Sequence, residues 1–362
     1  MRILRIVTKS FRNLSLQEGI DTDAQQVLLI GENGQGKTNF LEAIYVLCYA
    51  SSFRTNNLKE LVSYGKKEVS LSALFIDDNG EKRKIHFKIA KGKKEIVLDG
   101  KVIHDRKQLM YTIPCIVFSH DDIDFIRGVP EARRKYFNQT MSMYDPVFFD
   151  DLRRYNRILR QRNVYLKSGK TDLLDIYDRM LCEIGLSLMK KRKETVEDMN
   201  GLFSSLYERV SSLSGISLLY QPSWKNCSTI EEAMEELKRN RERDLKFQIT
   251  NTGIHRDNFS VISNNGALSS FGSTGQQRLA SLVLRATQSK FFQEKTGRKP
   301  VLLIDDVLLE LDNQKRSIFL SLLEGYSQAF FTFLPEESYF KEKQTEYQLM
   351  LDVRNGELMQ HV

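Results

Sequence analysis

Apolar residues alternate with polar ones at Val69, Leu71, Ala73 and Phe75, and again at Ile85, Phe87 and Ile89. A period of two predicts half-buried strands, and Asp78-Asn79-Gly80 and Asp99-Gly100 supply the hairpin turns between them. The unbroken apolar run Val27 to Ile30 predicts a buried strand. From about Asp121 to Arg243 the period becomes helical: Leu152, Tyr155, Leu159 and Leu166 share one face, and Leu181, Ile184 and Leu188 another. Only Ile216 to Gln221 resembles a strand there. After Asp244 the pattern is mixed again, with a turn at Asn264-Asn265-Gly266, a helix opening near Thr274 and a buried strand at Val301 to Ile304. The pattern therefore predicts an α/β domain built from residues 1–120 and 244–362, with a mainly helical lobe, 121–243, inserted between them.

Composition agrees with an ordinary globular chain: 362 residues, 41% hydrophobic and 28% charged, enough for a sizeable core. The apolar runs fall far short of the roughly 18 to 20 residues that span a bilayer. The start, MRILRIVTKSFRN, lacks the apolar centre of a signal peptide. A soluble, cytoplasmic protein with no membrane partner is expected. Cys48, Cys115, Cys182 and Cys227 are spaced too widely for metal knuckles and read as reduced thiols, and the five histidines show no i, i+4 pairing. Charge changes the picture more. Lys and Arg outnumber Asp and Glu by 54 to 47, and the segment Arg127 to Lys167 alone carries an excess of six positives. A polyanionic partner is the class this favours.

Three motifs carry chemistry. Gly31-Glu32-Asn33-Gly34-Gln35-Gly36-Lys37-Thr38 is a complete G-x-x-x-x-G-K-T loop between the strand Val27 to Ile30 and a helix opening at Asn39. Its backbone N–H groups and the helix dipole converge on phosphates; Lys37 would reach the β and γ phosphates and Thr38 would hold Mg²⁺. Val301 to Ile304 ends in Asp305-Asp306 at the carboxyl edge of a sheet, where α/β ligands bind. Asp305 would orient Mg²⁺, and Asp306 could act as general base on an attacking water. Ser273-Thr274-Gly275-Gln276 precedes a helix and reads both as a capping box and as an anion site. A further feature is the helix from about Asp150 to Lys167, where Arg153, Arg157 and Arg160 form one basic stripe. The stripe is open to three readings: DNA contact, a protein interface or a solvated face.

The order of phosphate loop, serine-glycine signature and Asp-Asp strand resembles ABC-type ATPase heads. That likeness implies an ATP-sandwiched homodimer in which Ser273, Gly275 and Gln276 of one copy complete the site of the other. Transport ATPases match poorly, because their signature lies much closer to the phosphate loop, and about 120 helical residues cannot form the long coiled coil of chromosome-maintenance proteins.

The bacterial RecF family of recombinational-repair ATPases is similar nearly end to end. The likeness runs through Ser10-Phe11-Arg12-Asn13, the loop with Phe40 to Tyr45, Ser52-Phe53-Arg54, and Asp121 to Gly128 with Pro130 and Arg133 to Tyr136. It continues through Arg160-Gln161-Arg162-Asn163, Gly253 to Asp257, Gly275 to Arg278 and Asp305-Asp306-Val307. Departures are His120 where the family has Pro, Asn138 for Asp, Ile254 for Pro and Leu309 for Ser. The resemblance implies Arg12 and Asn13 as further ATP contacts and slow, DNA-stimulated hydrolysis. It also implies binding to gapped or double-stranded DNA, and RecR, RecO and RecA as partners. A nucleotide-gated scaffold without significant hydrolysis and an ATPase coupled to a membrane permease are the alternatives.

Overall fold

The computed structural model describes residues 1–337 and 347–361. The chain forms two compact units, Met1–Asp121 with Gln288–Val362, and Asp122–Thr287.

The first unit holds two six-stranded sheets. In one, Cys115–Phe118, Val301–Ile304, Gln328–Phe333, Gln26–Ile30 and Gln348–Arg354 lie side by side in that order and run parallel, and Glu357–Gln360 closes the edge antiparallel. Val301–Ile304 and Gln328–Phe333 are buried along their whole length, which is why apolar residues run on in them, broken only by Gln328 and Thr332, rather than alternating. The other sheet is antiparallel, and Glu68–Ile76 and Lys82–Ala90 bury every second residue, as their period of two predicts. The helix Lys37–Tyr49 contributes Phe40, Leu41, Ile44 and Leu47 to one continuous core shared with both sheets. Gln328 clips the sheets together: its side chain accepts the Ile3 N–H and donates to carbonyls of Thr22 and Ala24.

The second unit contains the helices Pro130–Tyr144, Pro146–Ser168 and Leu174–Ser211, four shorter ones (Asp124–Arg127, Ile230–Arg239, Arg241–Phe247 and Leu268–Phe271), and a three-stranded antiparallel sheet of Ser217–Gln221, Asn258–Ser263 and Gly266–Ala267. Here the structure departs from the expected boundary at 243/244, because residues 244–287 belong to this unit. The reason is pairing. Ser217–Gln221 takes Asn258–Ser263 as its antiparallel partner. The buried carboxylates of Asp244 and Asp257 bond to Arg162 at 2.7 Å and Arg192 at 2.6 Å on the two long helices. The boundary at 287/288 falls inside the helix Thr274–Thr296. Among the described residues no helix is long and apolar enough to cross a membrane.

Candidate functional site

In the first unit the strand Gln26–Ile30 delivers the chain into the loop at Gly31, and the helix Lys37–Tyr49 leaves it. Two glycines are required by what surrounds them. A Cβ on Gly31 would come within 2.4 Å of the Val353 carbonyl, and Gly36 stands at φ 120° with Asn13 Oδ1 3.1 Å from where its Cβ would be. Glu32, Asn33 and Gly34 form the exposed crest of the loop. The buried Lys37 ammonium donates to the Gly31 carbonyl at 2.5 Å and reaches that of Glu32 at 3.4 Å. Gln35 anchors the loop to the turn at Asn355 and Gly356, whose N–H groups bond its side-chain and backbone oxygens.

Thr38 and Asp305 are 267 residues apart in sequence, yet the threonine hydroxyl donates to Asp305 Oδ1 at 2.8 Å. Burial pushes the Asp305 carboxyl up to about 6, and the neighbouring Asp306 adds to the effect against the Thr38 hydrogen bond and the charges of Arg54 and Lys37. A hydroxyl and a carboxylate side by side, beside a second carboxylate, are the hard oxygen donors that Mg²⁺ takes together with substrate phosphates. The residues fit that ion. Asp306 stands at φ 53°, where its N–H donates to Thr332 Oγ1 at 2.7 Å and its Oδ1 accepts from the same hydroxyl at 2.6 Å.

Arg12 and Asn13 flank the loop. Asn13 reaches the Gln35 carbonyl at 3.5 Å and accepts from the Asn39 amide at 2.7 Å, while Asn39 accepts from Arg54 at 2.7 Å. Arg12 forks onto Glu42 with two bonds of 2.9 Å. Glu42 is fully buried on the helix that follows the loop and also accepts from Ser52. The guanidinium of Arg12 is thus committed to orienting this wall of the site. Glu42, Arg54 and Thr332 carry parts of the site that sequence reasoning did not assign. A lone threonine in the otherwise apolar end of Gln328–Phe333 was the available signal.

The signature belongs to the second unit. Ser273 N–H donates to Gln276 Oε1 at 2.8 Å and Gln276 N–H returns to Ser273 Oγ at 3.2 Å, a reciprocal cap. Gln277 donates to the carbonyls of Leu268 and Gly272 and fixes the approach. Ser273 and Gly275 are exposed. Arg153, Arg157 and Arg160 are likewise exposed, and Arg153 lies 5.4 Å over the Phe149 ring. Arg162, counted in the same basic segment, points inward and is fully buried between Asp178 and Asp244, so it adds nothing to the outer charge. Asn138 accepts from Arg192 at 2.9 Å. With Asp257 already neutralising that guanidinium, a neutral acceptor suffices.

His255 closes the segment that leads to Asp257. Its Nε2 must donate to the Thr250 carbonyl at 2.9 Å, so Nδ1 accepts from the Tyr155 hydroxyl at 2.9 Å. Burial, with Arg256, Arg134 and Arg162 nearby, brings its pKa down to about 4.

Residues 2–355 match the family model described as RecF/RecN/SMC N terminal domain. The DNA replication and repair protein RecF of Treponema pallidum is 39% identical over 332 residues, covering 91% of this chain and 93% of its own. That of Leptospira interrogans is 33% identical, covering 92% and 91%. A structure of the recombination mediator protein RecF with ATP superposes with a TM-score of 0.91 at 30% identity, over 100% of this chain and 98% of the other. The Smc head domain of Pyrococcus furiosus, at 15% identity and TM-score 0.58 over 99% and 96%, shares the fold. The expected ABC-type α/β head is thereby shown.

Proposed function

The chain belongs to the RecF family of DNA replication and repair proteins, and from that premise we propose that it is an ATP-driven DNA clamp of gap repair. The observation that carries the reading is the 2.8 Å bond from Thr38 to Asp305, which joins the phosphate loop to the Asp-Asp strand. ATP lies along Gly31 to Asn39, with its phosphates on the loop N–H groups and on Lys37. Asn13 and Arg12 border it. Thr38 and Asp305 hold Mg²⁺, which when bound draws charge from the phosphate oxygens. Asp306, fixed by Thr332, takes the proton of the attacking water.

Ser273, Gly275 and Gln276 meet the nucleotide of a second copy, so ATP joins two chains into a homodimer. The exposure of Ser273 and Gly275 and the preformed cap at Ser273 support this. The dimer closes on double-stranded or gapped DNA through surfaces that include Arg153, Arg157 and Arg160. Slow, DNA-stimulated hydrolysis releases it. The RecF–ATP structure is described as part of the RecFOR pathway; RecR and RecO are the corresponding partners here, and RecA loading on gaps the outcome, in the cytoplasm. A permease-coupled role has no support among the relatives named above.

Sedimentation with and without ATP and gapped duplex tests nucleotide, dimer and DNA in one assay. Lys37→Ala should abolish ATP binding and ATP-dependent self-association. A Lys37→Ala variant that still dimerised only on adding ATP would overturn the sandwich.

A further inference from the structure

A third carboxylate stands at the sheet edge that carries Asp306. Beyond Thr332 and the end of the strand Gln328–Phe333, the chain turns through Leu334 and Pro335 to Glu337. Its Oε1 accepts the Leu334 N–H at 2.8 Å. Its Oε2 is buried and, among the described residues, has no hydrogen-bond partner. The turn lies against the phosphate loop, because the Phe333 carbonyl just before it accepts the Gly31 N–H at 3.2 Å, and the Thr332 hydroxyl one residue earlier bonds Asp306. Burial pushes the Glu337 carboxyl up and Asp306 adds to the rise, while the Leu334 N–H, Arg316 on the helix Asn313–Leu322 and Lys37 oppose it. Arg316 in turn donates from Nη2 to the Leu311 carbonyl at 3.2 Å, while its Nε is also buried and has no partner among the described residues. A buried acceptor and a buried donor left unmatched in one neighbourhood are costly, and such groups mark places where something else completes the hydrogen bonds.

We propose that Glu337 positions the attacking water, its Oε2 accepting one O–H of that water so that the other faces Asp306. This rests on the reading of Asp306 as the general base. As the water oxygen bonds to the γ-phosphorus, the second proton passes to Asp306. The bond from the γ-phosphorus to the bridging oxygen breaks, and that oxygen leaves on ADP with the electron pair. Glu337 gains and loses no proton. Capping Leu334 requires only Oε1, which a glutamine supplies equally well, so the cap alone leaves the second oxygen unexplained.

Glu337→Gln separates the two roles, because it keeps the cap and replaces the acceptor Oε2 with an NH₂ donor. Single-turnover ATP hydrolysis in the presence of duplex DNA should fall roughly 10- to 100-fold, the scale on which misplacing a reactant acts. ATP affinity and ATP-dependent dimerisation should stay within about twofold, and Glu337→Asp, which keeps a carboxylate, should hydrolyse faster than Glu337→Gln. Wild-type turnover in Glu337→Gln beside an inactive Asp306→Asn would overturn the role of Glu337 alone. Wild-type turnover in Asp306→Asn would overturn the base reading and this inference with it. A matching loss of ATP affinity or thermal stability in Glu337→Gln would reduce Glu337 to its cap.

Discussion

Acidification should destabilise the unit that carries the signature serine, and His255 supplies the largest readable share. In the folded chain its pKa is about 4, because the ring is buried neutral between Tyr155 and the Thr250 carbonyl with arginines nearby; in the unfolded chain it returns to about 6.5. The unfolded state therefore binds the extra proton, and the stability present above pH 6.5 is lost as pH falls toward 4. Integrating the two titrations gives a loss of about 2 kcal/mol between pH 7 and pH 5 from this one group. The assay is built into the sequence. The single tryptophan, Trp224, is buried in this unit, so its fluorescence in urea reports the unfolding of that unit. His255→Gln can donate to Thr250 and accept from Tyr155 without titrating, and the difference between the two proteins isolates the histidine from every other group. The wild type should lose about 2 kcal/mol more than the variant over that range. Equal pH slopes in both proteins, or a steeper one in His255→Gln, would refute the argument.

Ser273→Arg should leave ATP binding by the single chain intact and abolish dimerisation; a fall in ATP affinity as deep as that of Lys37→Ala would place Ser273 in its own chain's site. Asp306→Asn should keep ATP and the dimer while hydrolysis falls roughly 10²- to 10⁴-fold, and Asp305→Asn should also weaken Mg²⁺-dependent binding; identical phenotypes would undo the division of roles. Replacing Arg153, Arg157 and Arg160 by Glu should weaken DNA binding and flatten the slope of log affinity against log salt by up to about three units. An unchanged slope with normal affinity would make the stripe a solvated face.

The phosphate loop was legible because its chemistry is local: eight consecutive residues between a strand and a helix. The Asp-Asp strand was legible for the same reason. Thr332 was not, since its meeting with Asp306 depends on the parallel register that sets Ile304 against Phe331, and no local pattern encodes a register between strands. Glu42 reads as one more helix charge until Arg12 and Arg54 arrive from outside the helix. Arg162 looks like Arg157 and Arg160 by composition. Five residues beyond Arg157 it falls on the opposite face, so stricter attention to the period of 3.6 would have turned it inward. The misplaced boundary at 243/244 came from reading element types without asking which strand could pair with Ser217–Gln221.

The phosphate-loop strand Gln26–Ile30 has Gln328–Phe333 on one side and Gln348–Arg354 on the other. A ribosome adding about 5 to 20 residues per second makes the first of these roughly 15 to 60 s after Gln26. For that interval the newborn chain carries a strand with both edges unpaired, and by its end residues 122–287 have been made with all the partners their own unit needs. Nucleotide binding is therefore among the last properties the chain acquires during synthesis. A transcript broken before codon 328 would yield a folded insert on an unfinished head, with sticky strand edges for chaperones and proteases to recognise.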